Sequence, residues 1–349
     1  MTGDGAFVHI GCYTGESGGR GEGVIAARRD RATGALAVLG TAARSPSPSF
    51  LTWHPSRPVL YAVNEIADGA ISAWSVDDAA RLTPLGSRPT GGGSPCHLAV
   101  TPDGGHLVSA NYEGGSIAVH SLDVAGVPGE RSDLLAHVGR GVDPRRQEAS
   151  HVHLVSPDPR GGPLLAVDLG TDSVYRYDLH PDTGRLVPAG PRLQTRPGTG
   201  PRHLARHPDG RHCYLVGELD ATLTTYERDA GGTLRERGHQ RTSAREGPVQ
   251  PSEVAVGPDG RFLYVANRGV DTLAVFALDD GTPRCVTEVE AEGHWPRHFT
   301  LIGSHLYVAN ERSHSIGVFL VDPATGVPAP IGLPVEVPSP TCVLSDRRR

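Results

Sequence analysis

The sequence predicts an all-β fold, a seven-bladed β-propeller of four-stranded antiparallel blades. Three observations support this prediction. One phrase recurs six times at a spacing typical of propeller blades, short β-branched runs alternate with Gly and Pro-Asp-Gly turns, and no segment keeps an apolar period of 3.6 residues. With 349 residues and 38% hydrophobic side chains, the chain can bury the large core that such a ring requires.

Each repeat has the same internal order. Strand A ("HLAVT") is followed by a Pro-Asp-Gly turn, strand B ("HLVSANY"), a loop, strand C ("SIAVHSLD") and a variable strand D. Short runs joined in this way predict an antiparallel meander. The repeats begin, 45 to 55 residues apart, at Pro48, Pro95, Ser150, Pro201, Pro251 and Pro296.

The two ends of the chain carry incomplete repeats. The N-terminal "FVHIGCYTGESGGRGEGVIAARRD" resembles strands B and C without an A, and "PSPTCVLSD" from Pro338 resembles an A without a B. We therefore expect the ends to pair as a seventh blade that closes the ring and leaves no open edge, so that residues 1–349 form one domain. An open β-array, or a six-bladed ring with loose ends, is the alternative.

Composition excludes several functional classes. The net charge is −6, with no long basic run, so we expect neither nucleic acid nor a membrane as a partner. All 33 basic residues are Arg, which excludes lysine Schiff-base chemistry. Five cysteines without a C-x-x-C pattern disfavour a disulfide scaffold or zinc knuckle. Because no signal-peptide pattern or long apolar run occurs, we expect a cytoplasmic protein.

Alignment of the repeats predicts two rings of side chains at one mouth of the central channel. Strands A and B are antiparallel, so the start of A and the end of B lie at the same end of the blade. The first ring, near the start of strand A, is Ser49, Cys96, His151, Arg202, Ser252, Arg297 and Thr341. The second ring, at the end of strand B, includes Asn64, Asn111, Asp168, Glu218, Arg268 and Glu311.

Positions with a structural role should look alike in every blade, so ionisable residues that break the pattern are the functional candidates. His151, Arg202, Glu218 and Arg268 meet this criterion as catalytic residues, and Arg297 as a substrate contact. The Asn that recurs in ring two suits a turn or capping role, and Asn111 is also a candidate substrate contact. His54 and His207 are predicted to be turn residues at the opposite face.

The chemistry of these candidates suits attack of water on an ester-like carbonyl of an anionic substrate. A His can accept a proton at neutral pH, and Arg can bind phosphate or carboxylate and stabilise an oxyanion. A Glu can orient the base or share the proton transfer. Zinc binding by His151 and His153 is the alternative, but this alignment places His153 with Leu98 and Leu204 in strand A. We therefore predict no metal and no cofactor.

The phrases "SHVHLVSPD", "GTGPRHLARHPDG", "VGELDATL", "PSEVAVGPDGRFLYVANRG" and "GHWPRHF" resemble the seven-bladed propeller lactonase family, which includes 6-phosphogluconolactonase and is related to carboxy-cis,cis-muconate cyclase. The resemblance implies a site of one His, one Glu and two Arg, which fall on His151, Glu218, Arg202 and Arg268. It also implies that Arg146 and Gln147, in the preceding loop, contact substrate.

This resemblance implies a hydrolase that opens 6-phospho-glucono-1,5-lactone in the pentose phosphate pathway of carbohydrate metabolism. Two alternatives remain open. The same constellation could form or open a different lactone, as a muconate-type cyclase does, or the propeller could be a non-catalytic scaffold for unknown protein partners. The clustering of ionisable residues at one mouth argues against a scaffold.

Overall fold

The computed structural model describes residues 6–229 and 232–346 and confirms the all-β prediction, with seven antiparallel sheets that each form one propeller blade. Val, Leu and Ala are the commonest residues of the inner strands, with Ile, Tyr and Phe beside them, and positive-φ Gly residues occupy many of the turns. Within the described residues, the one helical segment is a 3-10 turn at Gly15–Ser17. No helix in these ranges has the length and apolar character needed to cross a membrane.

The strands are numbered in chain order. The first three belong to blade 7, which both ends of the chain share: β1 (Ala6–Cys12), β2 (Gly23–Arg29) and β3 (Leu36–Arg44). Blade 1 comprises β4 (Leu51–Trp53), β5 (Val59–Asn64), β6 (Ala70–Val76) and β7 (Leu82–Pro89). Blade 2 comprises β8 (Pro95–Val100), β9 (His106–Asn111), β10 (Ser116–Leu122) and β11 (Pro128–Ala136). Blade 3 comprises β12 (Val152–Ser156), β13 (Leu164–Asp168), β14 (Ser173–Leu179), β15 (Leu186–Pro188) and β16 (Leu193–Gln194).

The remaining blades repeat this plan. Blade 4 comprises β17 (Pro201–Arg206), β18 (His212–Gly217), β19 (Thr222–Arg228) and β20 (Leu234–Arg241). Blade 5 comprises β21 (Gln250–Val256), β22 (Phe262–Arg268), β23 (Thr272–Asp279) and β24 (Thr282–Glu290). Blade 6 comprises β25 (Pro296–Ile302), β26 (His305–Asn310), β27 (Ser315–Val321), β28 (Pro328–Pro330) and β29 (Val335–Glu336). The last strand, β30 (Pro340–Ser345), completes blade 7.

Pairing of the two chain ends, as predicted, closes the ring. The order of blade 7 is β3-β2-β1-β30, so β30 takes the place of strand A beside β1. The amide of Asp346 donates to the carbonyl of Phe7 at 2.8 Å just beyond the strand. In this position β30 covers the edge of β1, which would otherwise present unpaired backbone groups.

Contact density divides the chain into two compact units rather than one. The first unit contains the residues up to Ile10, Ile25–Gly40 and the chain from Arg202 onwards; the second contains Gly11–Val24 and Thr41–Pro201. Blades 4 to 6 belong to the first unit and blades 1 to 3 to the second, and the division passes through the strands of blade 7. The expectation of a single domain over residues 1–349 therefore stays a prediction.

The hydrophobic core lies between consecutive blades. One buried cluster joins blades 1 and 2, another joins blades 2 and 3, and two more join blade 5 to blade 4 and to blade 6. Strands β5, β9, β18 and β26 are buried along their whole length, whereas the outer strands β3 and β20 are largely exposed. Each sheet therefore depends on its neighbours to cover its apolar faces.

A repeated tyrosine reinforces these blade contacts. In four blades, a buried strand-B tyrosine donates its hydroxyl hydrogen bond to a glycine carbonyl in the C-to-D turn of the next blade: Tyr61 to Gly126, Tyr214 to Gly281, Tyr264 to Gly326, and Tyr307 to Gly34. The glycines have φ between 72° and 84°, a conformation that strongly favours Gly. Burial raises the pKa of Tyr264 to about 12, so its hydroxyl remains a donor across the physiological range.

We expect replacement of Tyr214 by Phe to remove one such bond and leave the Gly281 carbonyl without its buried donor. The free energy of unfolding should fall by about 1 kcal/mol, measured by urea denaturation. Leu333→Ala is the control, because Leu333 is exposed and its loss should change stability by less than about 0.5 kcal/mol. Equal stability of Tyr214→Phe and the unsubstituted protein would contradict the role assigned to the tyrosine.

Candidate active site

The predicted site residues fall in both compact units. The unit that contains blades 4 to 6 holds Arg202, Glu218, Arg268 and Arg297. The unit that contains blades 1 to 3 holds Asn111, Arg146, Gln147 and His151.

A β-bulge near the start of strand A sets the direction of the ring-one side chains. In blade 6, Pro296 pairs with Asn310 and His298 pairs with Ala309, so Arg297 between them has no partner of its own. The same irregularity occurs in blades 2, 3 and 5. A bulge interrupts the strict alternation of side chains and re-aims the extra residue.

Two arginines and one glutamate form a buried cluster in blades 4 and 5. Glu218 Oε2 lies 3.1 Å from Arg202 Nε and 2.8 Å from Arg268 Nη2, and the side chains are 3 to 6% exposed. The Arg202 Nε–H is not aligned for a hydrogen bond, so that contact is ionic. One carboxylate oxygen therefore faces two guanidinium groups away from bulk water, where charge interactions are strong.

Backbone carbonyls fix both guanidinium groups. Arg202 Nη1 donates to the Ser252 carbonyl, and Arg268 donates to the carbonyls of Gln250 and Pro251 at 3.2 and 3.4 Å. Among the described residues, Arg202 Nη2 and Arg268 Nη1 have no hydrogen-bond partner. These two nitrogens are the groups that an anionic ligand can engage.

Burial lowers the pKa of Arg202 to about 10, and the neighbouring Arg268 adds to this effect while Glu218 opposes it. The guanidinium remains positive at neutral pH. Arg202 and Arg268 together carry two positive charges, and Glu218 neutralises only one of them. An anionic ligand that binds here would therefore stabilise the cluster by neutralising the other.

Trp295 adds an aromatic surface to this cluster. The guanidinium carbon of Arg268 lies 5.3 Å from the centre of the indole, and that of Arg312 lies 3.4 Å from it. Trp295 has φ 65°, an uncommon conformation for a bulky residue, and its amide donates to Asp271 Oδ1 at 2.9 Å. Arg297 makes an ion pair with Glu311, with Nη1 3.6 Å from Oε2.

A second cluster of ionisable side chains, which the sequence analysis missed, is formed by the residues that directly follow the ring-one positions in strand A of blades 4, 5 and 6. His203 Nδ1 is 3.0 Å from Glu253 Oε2, and His298 Nε2 is 3.8 Å from the same oxygen. Burial raises the pKa of Glu253 and lowers that of His203; it also lowers the pKa of His298 to about 4. The signal was present in "PRHL", "PSEV" and "PRHF", where an ionisable residue follows each ring-one position.

His151 lies in the other unit and has partners on both ring nitrogens. Nδ1 is 3.0 Å from the Tyr112 carbonyl, and Nε2 is 3.0 Å from Glu148 Oε1. The ring also stacks on Tyr112, with centroids 4.5 Å apart. Because a carbonyl only accepts, Nδ1 carries a proton, and the proton of the contact between Nε2 and Glu148 is the one that can be exchanged.

The predicted register of blade 3 is wrong by two residues. Val152 lies opposite Asp168, where blade 2 has the pair Pro95 and Asn111. His153 therefore corresponds to the residue after Pro95, which is a ring-one position. The turn between strands A and B explains the error, since it spans residues 157–164 in blade 3 and only 101–106 in blade 2. An alignment of the repeats on their Pro-Asp turns does not reveal these two extra residues.

His151 instead directly precedes strand A, at the position that Trp295 occupies in blade 6. The carbonyl of His151 accepts from the Leu169 amide at 2.9 Å, as that of Trp295 accepts from the Glu311 amide at 3.1 Å. His151 is thus not the counterpart of Arg202, although it remains at the end of the blade where strand A begins.

Asp168 fixes the backbone around His151. Its Oδ1 accepts from the His151 amide at 2.9 Å, and its Oδ2 accepts from Ser150 Oγ at 2.6 Å and from His137 Nδ1 at 2.9 Å. Tyr177 in turn donates its hydroxyl hydrogen bond to His137 Nε2 at 2.9 Å. Burial opposes ionisation of Asp168, but these hydrogen bonds outweigh it and lower the pKa of the carboxyl.

Gln147 and Arg146, which the sequence also predicts to contact substrate, lie in the loop that precedes His151. Gln147 is fully buried, and its amide bonds to the backbone of Val142, Asp143 and Leu169 and to Asp172 Oδ1. It therefore holds the loop that precedes His151. Arg146 is half-buried and donates to the Tyr112 hydroxyl at 3.3 Å. Contact of either residue with substrate stays a prediction.

The recurring Asn of strand B has the turn role that the sequence predicts. Asn267 Nδ2 donates to the Thr242 carbonyl at 3.0 Å and Asn310 Nδ2 to the Ala291 carbonyl at 2.9 Å, which ties each strand end to the segment after the preceding blade. Asn111 Nδ2 bonds to Ser116 Oγ at 3.0 Å, while its Oδ1 has no partner among the described residues. A substrate contact of Asn111 also stays a prediction.

Comparison with known proteins identifies the family. The family model described as "Lactonase, 7-bladed beta-propeller" matches residues 7–345. The chain belongs to this lactonase family. The resemblance read from "GTGPRHLARHPDG" and the other phrases is thereby confirmed, and so is the expected enzyme class, a lactonase.

Individual family members align over most of the chain. The 6-phosphogluconolactonase of Bacillus subtilis is 32% identical over 346 residues, 96% of this chain and 97% of that protein. The 6-phosphogluconolactonase of Formosa agariphila is 27% identical over 290 residues, 80% of this chain and 82% of that protein. The structure of a periplasmic gluconolactonase from Pseudomonas aeruginosa superimposes with a TM-score of 0.92 and 31% identity, covering 99% and 100% of the two chains.

A lactonase requires an anchor for its substrate and groups that manage charge and protons at the carbonyl. In the unit that contains blades 4 to 6, the Arg202–Glu218–Arg268 cluster presents positive charge that suits an anionic oxygen. Among the described residues, one cluster of His, Asp, Glu or Cys side chains has donor atoms close enough together to hold a metal ion. It consists of His207, Asp209 and His212 and lies outside the predicted site.

We expect Asp168→Asn to lower the free energy of unfolding by about 3 kcal/mol at neutral pH, because buried donors lose a charged acceptor. A carboxyl with a depressed folded pKa stabilises fully above its unfolded pKa of ~3.9 and loses this contribution as pH falls through the folded value. The difference between the two proteins should therefore shrink on acidification to pH ~3, measured by urea unfolding. Asp178→Asn, at an exposed position of β14, is the matched control. A pH-independent difference would contradict the ionised state of Asp168.

Proposed function

We propose that the protein hydrolyses 6-phospho-glucono-1,5-lactone to 6-phosphogluconate. The observation that carries this proposal is the buried Arg202–Glu218–Arg268 cluster, in which two guanidinium groups share one carboxylate oxygen. A phosphorylated lactone brings anionic oxygens that two buried arginines can bind in the ground state, whereas a neutral lactone acquires negative charge only during the reaction.

In the proposed reaction, Arg202 and Arg268 bind the phosphate or the reacting carboxyl through the nitrogens that Glu218 and the backbone leave available. Attack of water at C1 converts the carbonyl oxygen to an oxyanion, and a guanidinium near that oxygen stabilises the developing charge. The bond between C1 and the ring oxygen then breaks. The ring oxygen takes up a proton and becomes a hydroxyl, and C1 becomes the carboxyl group of the product.

Proton transfer is assigned to His151 and Glu218. The hydrogen bond from His151 Nδ1 to the Tyr112 carbonyl orients the ring and directs Nε2, the nitrogen through which the proposed base exchanges its proton, towards the Glu148 carboxylate. Glu148, whose side chain is 54% exposed, contacts this nitrogen and can pass the proton to solvent. Glu218 is the alternative base.

The names of the relatives support this substrate and also one alternative. The Bacillus subtilis and Formosa agariphila relatives carry the phosphorylated-sugar name, whereas the Pseudomonas aeruginosa structure is of a gluconolactonase. Hydrolysis of unphosphorylated glucono-lactone is therefore the second candidate function. With the phosphorylated substrate, the reaction belongs to the oxidative pentose phosphate pathway, and we retain the cytoplasm as the proposed location.

We expect the purified protein to consume 6-phospho-glucono-lactone faster than spontaneous hydrolysis, with EDTA present. His151→Ala and Glu218→Gln should each lower kcat/KM by about 100-fold or more, the contribution typical of a positioned acid or base. The measurement is loss of lactone against time, corrected for the uncatalysed rate.

The surface of β20 offers matched controls for these variants. His239 and Glu236 form an exposed pair, so His239→Ala and Glu236→Gln should retain full activity. Thermal unfolding of each variant separates loss of chemistry from loss of fold. Full activity in both site variants would show that the assignment of His151 and Glu218 is wrong.

Arg268→Lys should discriminate against the phosphorylated substrate, because Lys cannot reproduce the planar fork of donors. We expect KM for 6-phospho-glucono-lactone to rise by about tenfold or more, with a smaller change for glucono-lactone. Arg202→Lys is compared in the same assay, and Arg235→Lys, at an exposed ion pair with Asp229, is the control. Equal losses on both lactones would contradict phosphate binding by Arg268.

A further inference from the structure

The turn between strands A and B of blade 4, "HPDGRH", brings three potential metal ligands together. His207 precedes the turn, Asp209 lies within it, and His212 begins β18. Asp209 Oδ2 is 3.0 Å from His207 Nδ1 and 2.7 Å from His212 Nδ1, and the three donor atoms lie within 4.8 Å of one another. Asp209 is exposed, so the group is open to solvent.

Backbone hydrogen bonds fix how the carboxylate faces the two rings. Asp209 Oδ1 accepts from the amides of Arg211 and His212 at 2.7 and 3.1 Å. This leaves Oδ2 as the oxygen directed at both imidazoles. The side chain of Arg211, the adjacent cation, is paired with Glu227, with Nε 2.6 Å from Oε1.

The hydrogen bonds of His207 place its Nδ1 lone pair beside the carboxylate. Nε2 is 2.9 Å from the Gly260 carbonyl and must donate to it, while Nδ1 accepts from the Asp209 amide at 3.1 Å. The lone pair of Nδ1 therefore faces the Asp209 amide, and the carboxylate oxygen of the same residue lies beside it, 3.0 Å from Nδ1. A bound cation would take the place of the amide hydrogen at Nδ1 and coordinate both the nitrogen and the carboxylate oxygen. A ligand His typically donates its other N–H to a backbone carbonyl in this way.

The equivalent turns of other blades form without the combination of two His and one Asp that is found in blade 4. His54 in blade 1 bonds to Gly104 in the same manner, but Ser56 occupies the position of Asp209. Blade 2 has Thr101 where blade 4 has His207. In blade 5 the three positions are Gly257, Asp259 and Phe262. Among these four turns, only that of blade 4 has a potential ligand at all three positions.

We propose that His207, Asp209 and His212 bind a divalent transition metal ion of the zinc type. Two imidazole nitrogens and one carboxylate oxygen suit Zn²⁺, and solvent can supply the fourth ligand. His207 contacts Gly260, and the backbone of Gly281 packs against the His212 ring. The metal would therefore stabilise the contact between blades 4 and 5. This site is separate from the proposed lactonase reaction and does not depend on it.

The test uses the full-length protein without a histidine tag, stripped with EDTA and dialysed free of it. ZnCl₂ is titrated by calorimetry, and thermal unfolding is followed at increasing zinc concentrations. We expect one zinc per chain and a Tm that rises with zinc concentration, because a ligand that binds the folded state stabilises it. MgCl₂ should leave the Tm unchanged, since the donor set contains two imidazoles.

Two variants assign the site. His212→Phe introduces the residue that blade 5 has at this position, and Asp209→Asn keeps an oxygen to accept the turn amides while it removes the carboxylate charge. Each should weaken zinc binding by more than about tenfold, the loss that even substitutions outside the first ligand shell produce. Asp103→Asn, the equivalent change in blade 2, should bind zinc as the unsubstituted protein does. The proposal is overturned if zinc neither binds nor raises the Tm, or if both site variants bind it with unchanged affinity.

Discussion

Within each compact unit, the burial of one blade against the next is the constraint on which the rest of the structure depends. A four-stranded sheet has two apolar faces, and the buried clusters between blades 1 and 2, 2 and 3, 4 and 5, and 5 and 6 show that neighbouring sheets cover them. The tyrosine hydroxyls then set the position of neighbouring blades, because a strand-B side chain of one blade reaches a turn carbonyl of the next. Interior strands held in this way can support buried charges, which a loosely packed sheet could not position.

Much of the fold could be predicted because its determinants are local and repeat. Gly and Pro-Asp turns, β-branched runs and the two incomplete ends were sufficient to predict seven blades and their closure. The register of blade 3 was not, since two extra residues in one hairpin shift His151 and His153 relative to the other blades. Pairing of backbone groups across β12 and β13 decides that register, and a sequence alignment does not contain it. The division into two compact units likewise depends on contact density rather than on any local pattern.

The candidate site shows the same limit. Arg202, Glu218 and Arg268 could be grouped from sequence because the start of strand A and the end of strand B share one end of an antiparallel pair. The His203–Glu253–His298 group was missed because a regular strand would direct consecutive residues to opposite faces. The bulge at the start of strand A removes that alternation. The sequence also could not show that the amide of Gln147 is occupied by its own loop.

The shared seventh blade has a consequence for synthesis on the ribosome. Strand β1 ends at Cys12, but its partner β30 begins only at Pro340 and is therefore synthesised much later. At elongation rates of about 5 to 20 residues per second, the inner edge of β1 waits on the order of 15 to 65 s for its partner. An unpaired strand edge of this kind can recruit another nascent chain. Protection of β1 by a chaperone during that interval would therefore affect the yield of folded protein without changing its final stability.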